Sequence, residues 1–342
     1  MTNMKLNLFE TINLGMRLSR RAWLLAGSLS ITASWLPAQV HAQAAWPNHP
    51  IRLIVPYAPG GGTDIVARAI AAKLSTRLGQ PIVIDNKSGA GGAIGFEAGL
   101  KAPADGYTLL FVTSAYATNA ATGKKQAYDP VKDMVPIGQI GNTPLVVSVA
   151  QDSPVKTLRE LVDLARAKPE AVSYGSSGVG SMSHLGMELF AAEGKMQLLH
   201  VPYKGMAPAF TDLMAGLLQT GLSSFATVSQ FIDAGKVRGL AVTGTKRTPF
   251  APQLPTTAEA GFPGFQIDFW WGFVAPARTP PAIVKRLNEE LNLILAQAET
   301  RELLAREAAV PTPGTPDEFG KLVAQDVVRW TRLVKERNIK TE

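Results

Sequence analysis

Short β-branched runs alternate with longer stretches of helical period along most of this chain, and that alternation restricts the fold more than any other feature. The spacing predicts strands over 51–55, 82–85 and 107–113, with helices over 63–78 and after Gly92 between them. Strands separated by helices build parallel, doubly wound sheets, so an α/β fold is expected. Two Val/Ile runs, 137–140 and 145–149, flank the tetrapeptide GNTP. The same grammar then resumes, with helices over 157–168 and 181–193, strands over 172–174 and 198–201, and a helix ending at Met214. A strand over 239–243, an extended segment over 265–276 and helices over 283–296 and 319–334 complete the chain. This pattern predicts two doubly wound sheets in two lobes joined by a two-crossing hinge. Residues 43–143 with 245–342 make lobe 1, and residues 144–244 make lobe 2.

A chain of 342 residues suits about two domains. Arg17, Arg20 and Arg21 precede an apolar run over 22–36, and Val40-His41-Ala42 places small residues where a signal peptidase cuts. Residues 1–42 are therefore expected to be a secretory signal peptide, and the product periplasmic. A membrane anchor needs a longer run, without Ser28, Ser30, Thr32 and Ser34. Residues 19–25 also resemble a twin-arginine signal, so either export route is open. With no cysteine, disulfide, zinc-thiolate and thiol redox chemistry are excluded. The net charge of +7 is not gathered into blocks, which argues against a nucleic-acid partner.

Two loops carry the functional signal. The first, PYAPGGGTD over 56–64, lies between a strand and a helix. Its three glycines permit positive φ and leave backbone N–H groups bare, and the helix N-terminus adds unpaired donors and partial positive charge. Without a Walker-type lysine, the natural guest of Pro59, Gly60, Gly61, Gly62, Thr63 and Asp64 is a carboxylate rather than a nucleotide phosphate. The alternative is a plain tight turn capped by Thr63 or Asp64. The second loop, GSSGVGSMSH over 175–184, repeats the arrangement with Ser176, Ser177, Gly178 and Ser181, and His184 falls about one turn into the helix if Ser181 is the N-cap. A helix N-terminus disfavours imidazolium, so His184 is expected to be a neutral N–H donor. Hydrogen bonds to a charged group contribute about 1.5–3 kcal/mol each, so about four to six of them suffice for a micromolar small acid without an arginine clamp.

Other features carry less. GAGGAIG over 89–95 spaces as GxGxxxG with no acidic residue after the next strand, which favours a turn with close helix packing over a dinucleotide site. There is no GxSxG elbow, and His49, His184 and His200 fall on different elements, so neither a hydrolase triad nor a histidine metal site is supported, and no cofactor is expected. Lys204 reads as an exposed turn lysine, and Phe269, Trp270, Trp271 and Phe273 as packing on a crossing strand. Ser114, with Tyr116 and Asn119 near it, stands at the end of a strand, where open α/β sheets bind ligands.

With both loops in view, the chain resembles the Bug/TctC family, the extracytoplasmic solute-binding proteins of tripartite tricarboxylate transporters. The likeness covers nearly everything after the leader. It rests on WPNHPIRLIVPYAPGGGTDIVAR (46–68), ADGYTLL (104–110), GSSGVGSMSHL (175–185), VPYKG (201–205), GKVRGLAVTGTKR (235–247), LPTTAEAGFPGF (254–265) and WWGFVAPARTP (270–280). The resemblance implies a monomeric receptor of the type II-like periplasmic-binding-protein fold. Such a receptor grips a small organic carboxylate between loops 59–64 and 176–184, partly through water, and presents it to membrane permease subunits. It also implies that LSSFAT (222–227) lines the site; no charged residue stands there to define the ligand's second functional group. The rival readings are an exported α/β enzyme acting on a small acid and a ligand-sensing partner of a membrane regulator.

Overall fold

Strand β1 (Ile51–Val55) leads through the first glycine loop into α1 (Gly62–Leu78), which stops where Gly79 turns left-handed at φ 71° and returns its N–H to Ser75. This computed structural model describes residues 46–122 and 127–339; the expected signal peptide lies outside the described residues. The first half continues through β2 (Ile82–Asn86), α2 (Ala93–Leu100), β3 (Thr108–Thr113) and α3 (Ala115–Thr122) to the long β4 (Met134–Ala150). The second half adds α4 (Leu158–Ala167), β5 (Ser173–Ser176), α5 (Met182–Glu193), β6 (Leu199–Pro202), α6 (Met206–Met214), β7 (Thr220–Ser224), α7 (Phe225–Asp233) and β8 (Val237–Val242). The chain then returns through β9 (Asp268–Pro276) to α8 (Pro281–Leu295), α9 (Ala298–Arg306), β10 (Val310–Pro311) and α10 (Pro316–Glu336).

The strands follow one hydrogen-bonded path, β2-β1-β3-β9-β4-β7-β5-β6, with β8 and β10 also on β4. Pairing is parallel in the outer parts, as the alternation requires: β1 pairs with β2 and β3, and β5 with β6 and β7. The centre departs from the expected parallel sheets. Strand β9 enters from the second half and so runs antiparallel to both β3 and β4.

GNTP does not divide two strands; β4 runs straight through it for 17 residues. What changes there is the partner. The β9 ladder ends at Pro144↔Asp268, and the β7 and β8 ladders begin at Leu145↔Ser224 and Val146↔Val242. Proline has no N–H to donate, so it fits the point where a strand leaves one ladder for another. The segment after β8 stays against the second half: Val242 N–H donates to Pro255, Ile267 N–H to Thr243, and Phe262, Phe265 and Ile267 pack with α4 and α5.

In the first half, α1 and α8 bury one sheet face through Val66, Ile70, Leu74, Leu287 and Leu291, while α2 and α10 cover the other through Phe96, Phe319 and Val323. Helix α10 begins in a capping box between Thr315 and Glu318. Its far end crosses to the second half, where Trp330 and Leu333 share a core with Tyr174, Met187 and Phe190. Trp270 and Trp271 are both buried, as expected of crossing-strand packing. The GAGGAIG turn packs tightly too: a Cβ on Gly95 would stand 2.5 Å from Pro56.

Helices α3, α7 and α9 and strand β7 lack a clear signal in the sequence. The sequence of α3, AYATNAAT, carries almost no large apolar residues from which to read a period.

Candidate functional site

In loop 59–64 only Gly60 takes positive φ, at 88°. Gly61 is an extended N-cap with no side-chain cap, and Gly62 already belongs to α1, so no side chain caps the first turn of that helix. Pro59, Gly60 and Gly61 are exposed, and Gly62 and Thr63 half-buried. Asp64 has a different place from theirs. It is only 2 % exposed, and its carboxylate accepts from Gly60 N–H at 3.0 Å, Asn86 Nδ2 at 2.8 Å and Arg68 Nε at 2.8 Å. Burial works to raise its pKa, but these hydrogen bonds hold it below the usual carboxylate value. Asp64 thus shapes the loop from beneath. A Cβ on Gly62 would lie 2.6 Å from Glu307 Oε2, so glycine there makes room for that carboxylate.

Loop 176–184 is built from its own hydroxyls. Ser181 is the N-cap of α5, accepting from His184 N–H at 3.3 Å and donating to the Gly178 carbonyl at 2.7 Å. Ser183 Oγ accepts from Ser177 N–H at 3.0 Å, and Ser176 Oγ meets His200 Nε2 at 2.6 Å. Gly178 and Gly180 take φ of 127° and 77°. Ser177 is exposed and Ser176 fully buried.

His184 Nδ1 accepts the Gly180 N–H at 3.0 Å, which puts the ring proton on Nε2 and makes the residue the neutral donor expected. Burial lowers its pKa, with Glu188 opposing. The histidines were expected to be scattered, but two of them meet. His184 stacks on His200 with centroids 3.9 Å apart, and His200 in turn on Tyr174 at 5.0 Å. Burial, helped by His184, pushes His200 down to about 4. Tyr174 Oη donates to Glu188, which also pairs with Arg337 of the C-terminal region. His200 and Tyr174 were legible as partners only from strand pairing, since they are opposed in the β5–β6 register. Among the described residues no group of three or more His, Asp or Glu could hold a metal.

A chain of contacts links the loops. Tyr57 Oη lies 2.6 Å from Thr113 Oγ1 at the end of β3, Ser114 follows, and α3 ends at Thr122, whose Oγ1 is 3.0 Å from where a Cβ on Gly180 would be. Ser114 is fully buried, and its hydroxyl has no partner among the described residues. Lys204 is exposed. Beside the crossing strands a cleft of about 410 Å³ opens, lined from both halves by Asn142, Pro144 and Asp268, by residues 244–249 and by Ala308. Burial pushes Asp268 up to about 6, against a hydrogen bond from Asn142.

Comparison with known proteins matches this architecture throughout. The family model described as "Tripartite tricarboxylate transporter family receptor" covers residues 66–339. The solved structure of the periplasmic binding protein BugD is 32 % identical, with a TM-score of 0.70 over 87 % of this chain and 100 % of that one. Rpa4515 of R. palustris, solved with adipate, is 37 % identical with a TM-score of 0.73, covering 86 % and 99 % of the two chains. MatC of Rhodopseudomonas palustris, solved with bound malate, is 31 % identical with a TM-score of 0.70, covering 84 % and 99 %. The fold is that of the periplasmic binding proteins, and the chain belongs to the TctC family of tripartite tricarboxylate transporter receptors.

Proposed function

We propose that this receptor is exported to the periplasm, captures a small organic carboxylate between two lobes and delivers it to membrane permease subunits. The observation that carries this reading is the pair of glycine turns at the ends of β1 and β5. Each opens a helix; the first is tied to the end of β3 through Tyr57–Thr113, and the second lies against Thr122 at the end of α3, the helix that follows β3. On one side, the loop that begins at Pro59 offers the backbone N–H groups of Gly61, Gly62 and Thr63, with that of Gly60 held by Asp64. The Ser176, Ser177, Gly178, Ser181 and His184 loop faces them from the other, and Ser114 lies between. The relatives solved with adipate and malate support a carboxylate as the guest. Because this family consists of receptors, the enzyme reading is set aside.

The lobes are divided where β4 changes partners at Pro144 and where the chain re-enters β9 at Asp268. The packing of Phe262, Phe265 and Ile267 with the second half supports a second crossing near Asp268 over one near residue 245. A ligand held by both loops makes more contacts when the lobes are closed and shifts the population that way.

The test is a thermal-shift screen of the chain from Gln43 onward against dicarboxylates, citrate, acidic amino acids, nicotinate and benzoate-type acids. A ligand at a hundred times its Kd adds about 2.7 kcal/mol, seen as a rise of a few degrees. A clear rise is expected for at least one acid. A blank screen, repeated after unfolding and refolding to release any retained ligand, would count against the receptor role.

A further inference from the structure

We propose that Thr143 and Trp271, on the two strands that cross between the halves, hold the ligand beside the first glycine loop as hydrogen-bond donors; the inference rests on the receptor reading above. Both side chains are buried, at 1 % and 3 % exposure, yet Thr143 Oγ1 and Trp271 Nε1 have no hydrogen-bond partner among the described residues. Buried polar groups are almost always paired, so orphans that cluster point to something they bind.

These two do cluster. In an antiparallel pair, directly opposed residues share a face of the sheet. Gly141 opposes Trp271 and Thr143 opposes Phe269, while Phe269 and Trp271 touch edge to face with centroids 5.2 Å apart. On the other side Trp271 opposes Thr113, whose hydroxyl meets Tyr57 at the root of the first glycine loop. Tyr57 packs in the same core as Trp271, so this face leads directly to the loop proposed to grip the carboxylate. Thr143 is the last residue before Pro144, where β4 passes to the second half.

Neighbouring polar groups are satisfied. Trp270, next in chain on the opposite face, donates to Asp326 at 2.9 Å, and Asn142 donates to Asp268 at 2.9 Å. Other buried side chains without a partner, such as Tyr128, Thr300 and Trp330, stand elsewhere in the fold, but Thr143 and Trp271 share the face that leads to the first glycine loop. An indole N–H only donates, and a threonine hydroxyl donates readily. The group they receive is an acceptor, such as a carboxylate or carbonyl oxygen, and an ammonium is disfavoured there. This defines the ligand's second functional group, which the uncharged LSSFAT segment leaves open.

Thr143→Val removes the hydroxyl at constant shape, and Trp271→Phe removes the N–H while keeping an aromatic ring. Each would be titrated with whichever acids of the screening panel the wild type binds, adipate and malate included, and unfolded in urea alongside it. Loss of one hydrogen bond to a bound acid is expected to weaken binding about tenfold. Thr143→Val should unfold at the same or a higher urea concentration, because an apolar isostere relieves a buried orphan. The indole N–H resonance of Trp271, identified by its absence from Trp271→Phe, should move when acid is added. Affinities within twofold of wild type in both variants, or an indole that does not move, would overturn the proposal and leave a fixed water as the partner. Weaker binding with a matching loss of stability in Thr143→Val would overturn it as well, in favour of a structural role. If the wild type binds no acid of the panel, the receptor reading falls and this inference with it; if it binds and both variants are unaffected, this inference alone falls.

Discussion

Asp64→Ala should lower folding stability by about 2–4 kcal/mol and abolish carboxylate binding, the largest effect expected of any single loop residue. The carboxylate is buried and accepts from Gly60, Asn86 and Arg68 at once. Alanine leaves the Gly60 N–H and the Asn86 amide without that acceptor, and hydrogen bonds to charged groups contribute about 1.5–3 kcal/mol each. The Arg68 pair counts for less, because the arginine side chain is about half exposed, at 48 %. Binding is lost for a separate reason. Gly60 stands at positive φ with its N–H fixed by Asp64, so freeing it disorders the turn that aims the donors of α1. Urea unfolding and titration with the acid found by screening measure the two effects. A stability loss under about 1 kcal/mol with binding intact would show that the loop holds its shape without Asp64.

The second large effect is in the pH dependence, where two half-buried groups oppose each other. His200 titrates near 4 in the folded chain, below the ordinary histidine value. The unfolded chain therefore takes up its proton first, and the stability that neutral His200 contributes is present above about pH 6.5 and lost as the pH falls toward 4. A shift of this size corresponds to about 3 kcal/mol. His184 acts in the same direction. Asp268 does the reverse. Its folded value near 6 means that the folded chain protonates first, so stability is gained as the pH falls from about 6 toward 4, again by about 3 kcal/mol.

The wild type should accordingly lose less stability between pH 6.5 and 4.5 than it would if the histidines alone titrated. Asp268→Asn removes one arm and should lose more stability than the wild type across the same window, by most of about 3 kcal/mol. Urea midpoints at half-unit pH steps read this directly. An identical slope in variant and wild type would mean that Asp268 does not titrate there.

Much of this was legible in the sequence. Both glycine loops sit where strand, turn and helix signals coincide, and Ser181 announced itself as an N-cap by its place before an apolar run. Other features depended on chain pairing that no local pattern records. Pro144 reads locally as a breaker, yet it lies within one strand because it marks a change of ladder, not an end. His184 on α5 and His200 on β6 belong to different elements, and their stacking is visible only once those elements are placed. Asp64 reads as a cap or a ligand contact, and its place as an acceptor beneath the loop is visible only once Asn86 and Arg68 are placed. Trp271 reads as packing and does pack, but its unpaired N–H is visible only once its neighbours are placed.

The central claim is that one ligand is gripped from both halves, and the loop at 176–184 tests it most directly. Calorimetric titration of Ser181→Ala and His184→Ala with the acid that binds the wild type should show affinity weakened about tenfold in each, in chains that remain folded. Ser181 ties Gly178 and the His184 N–H together, and His184 holds the Gly180 N–H, so either change loosens the turn proposed to face the ligand. Affinity equal to wild type in both variants would remove that loop from the site and contradict a ligand held between the lobes.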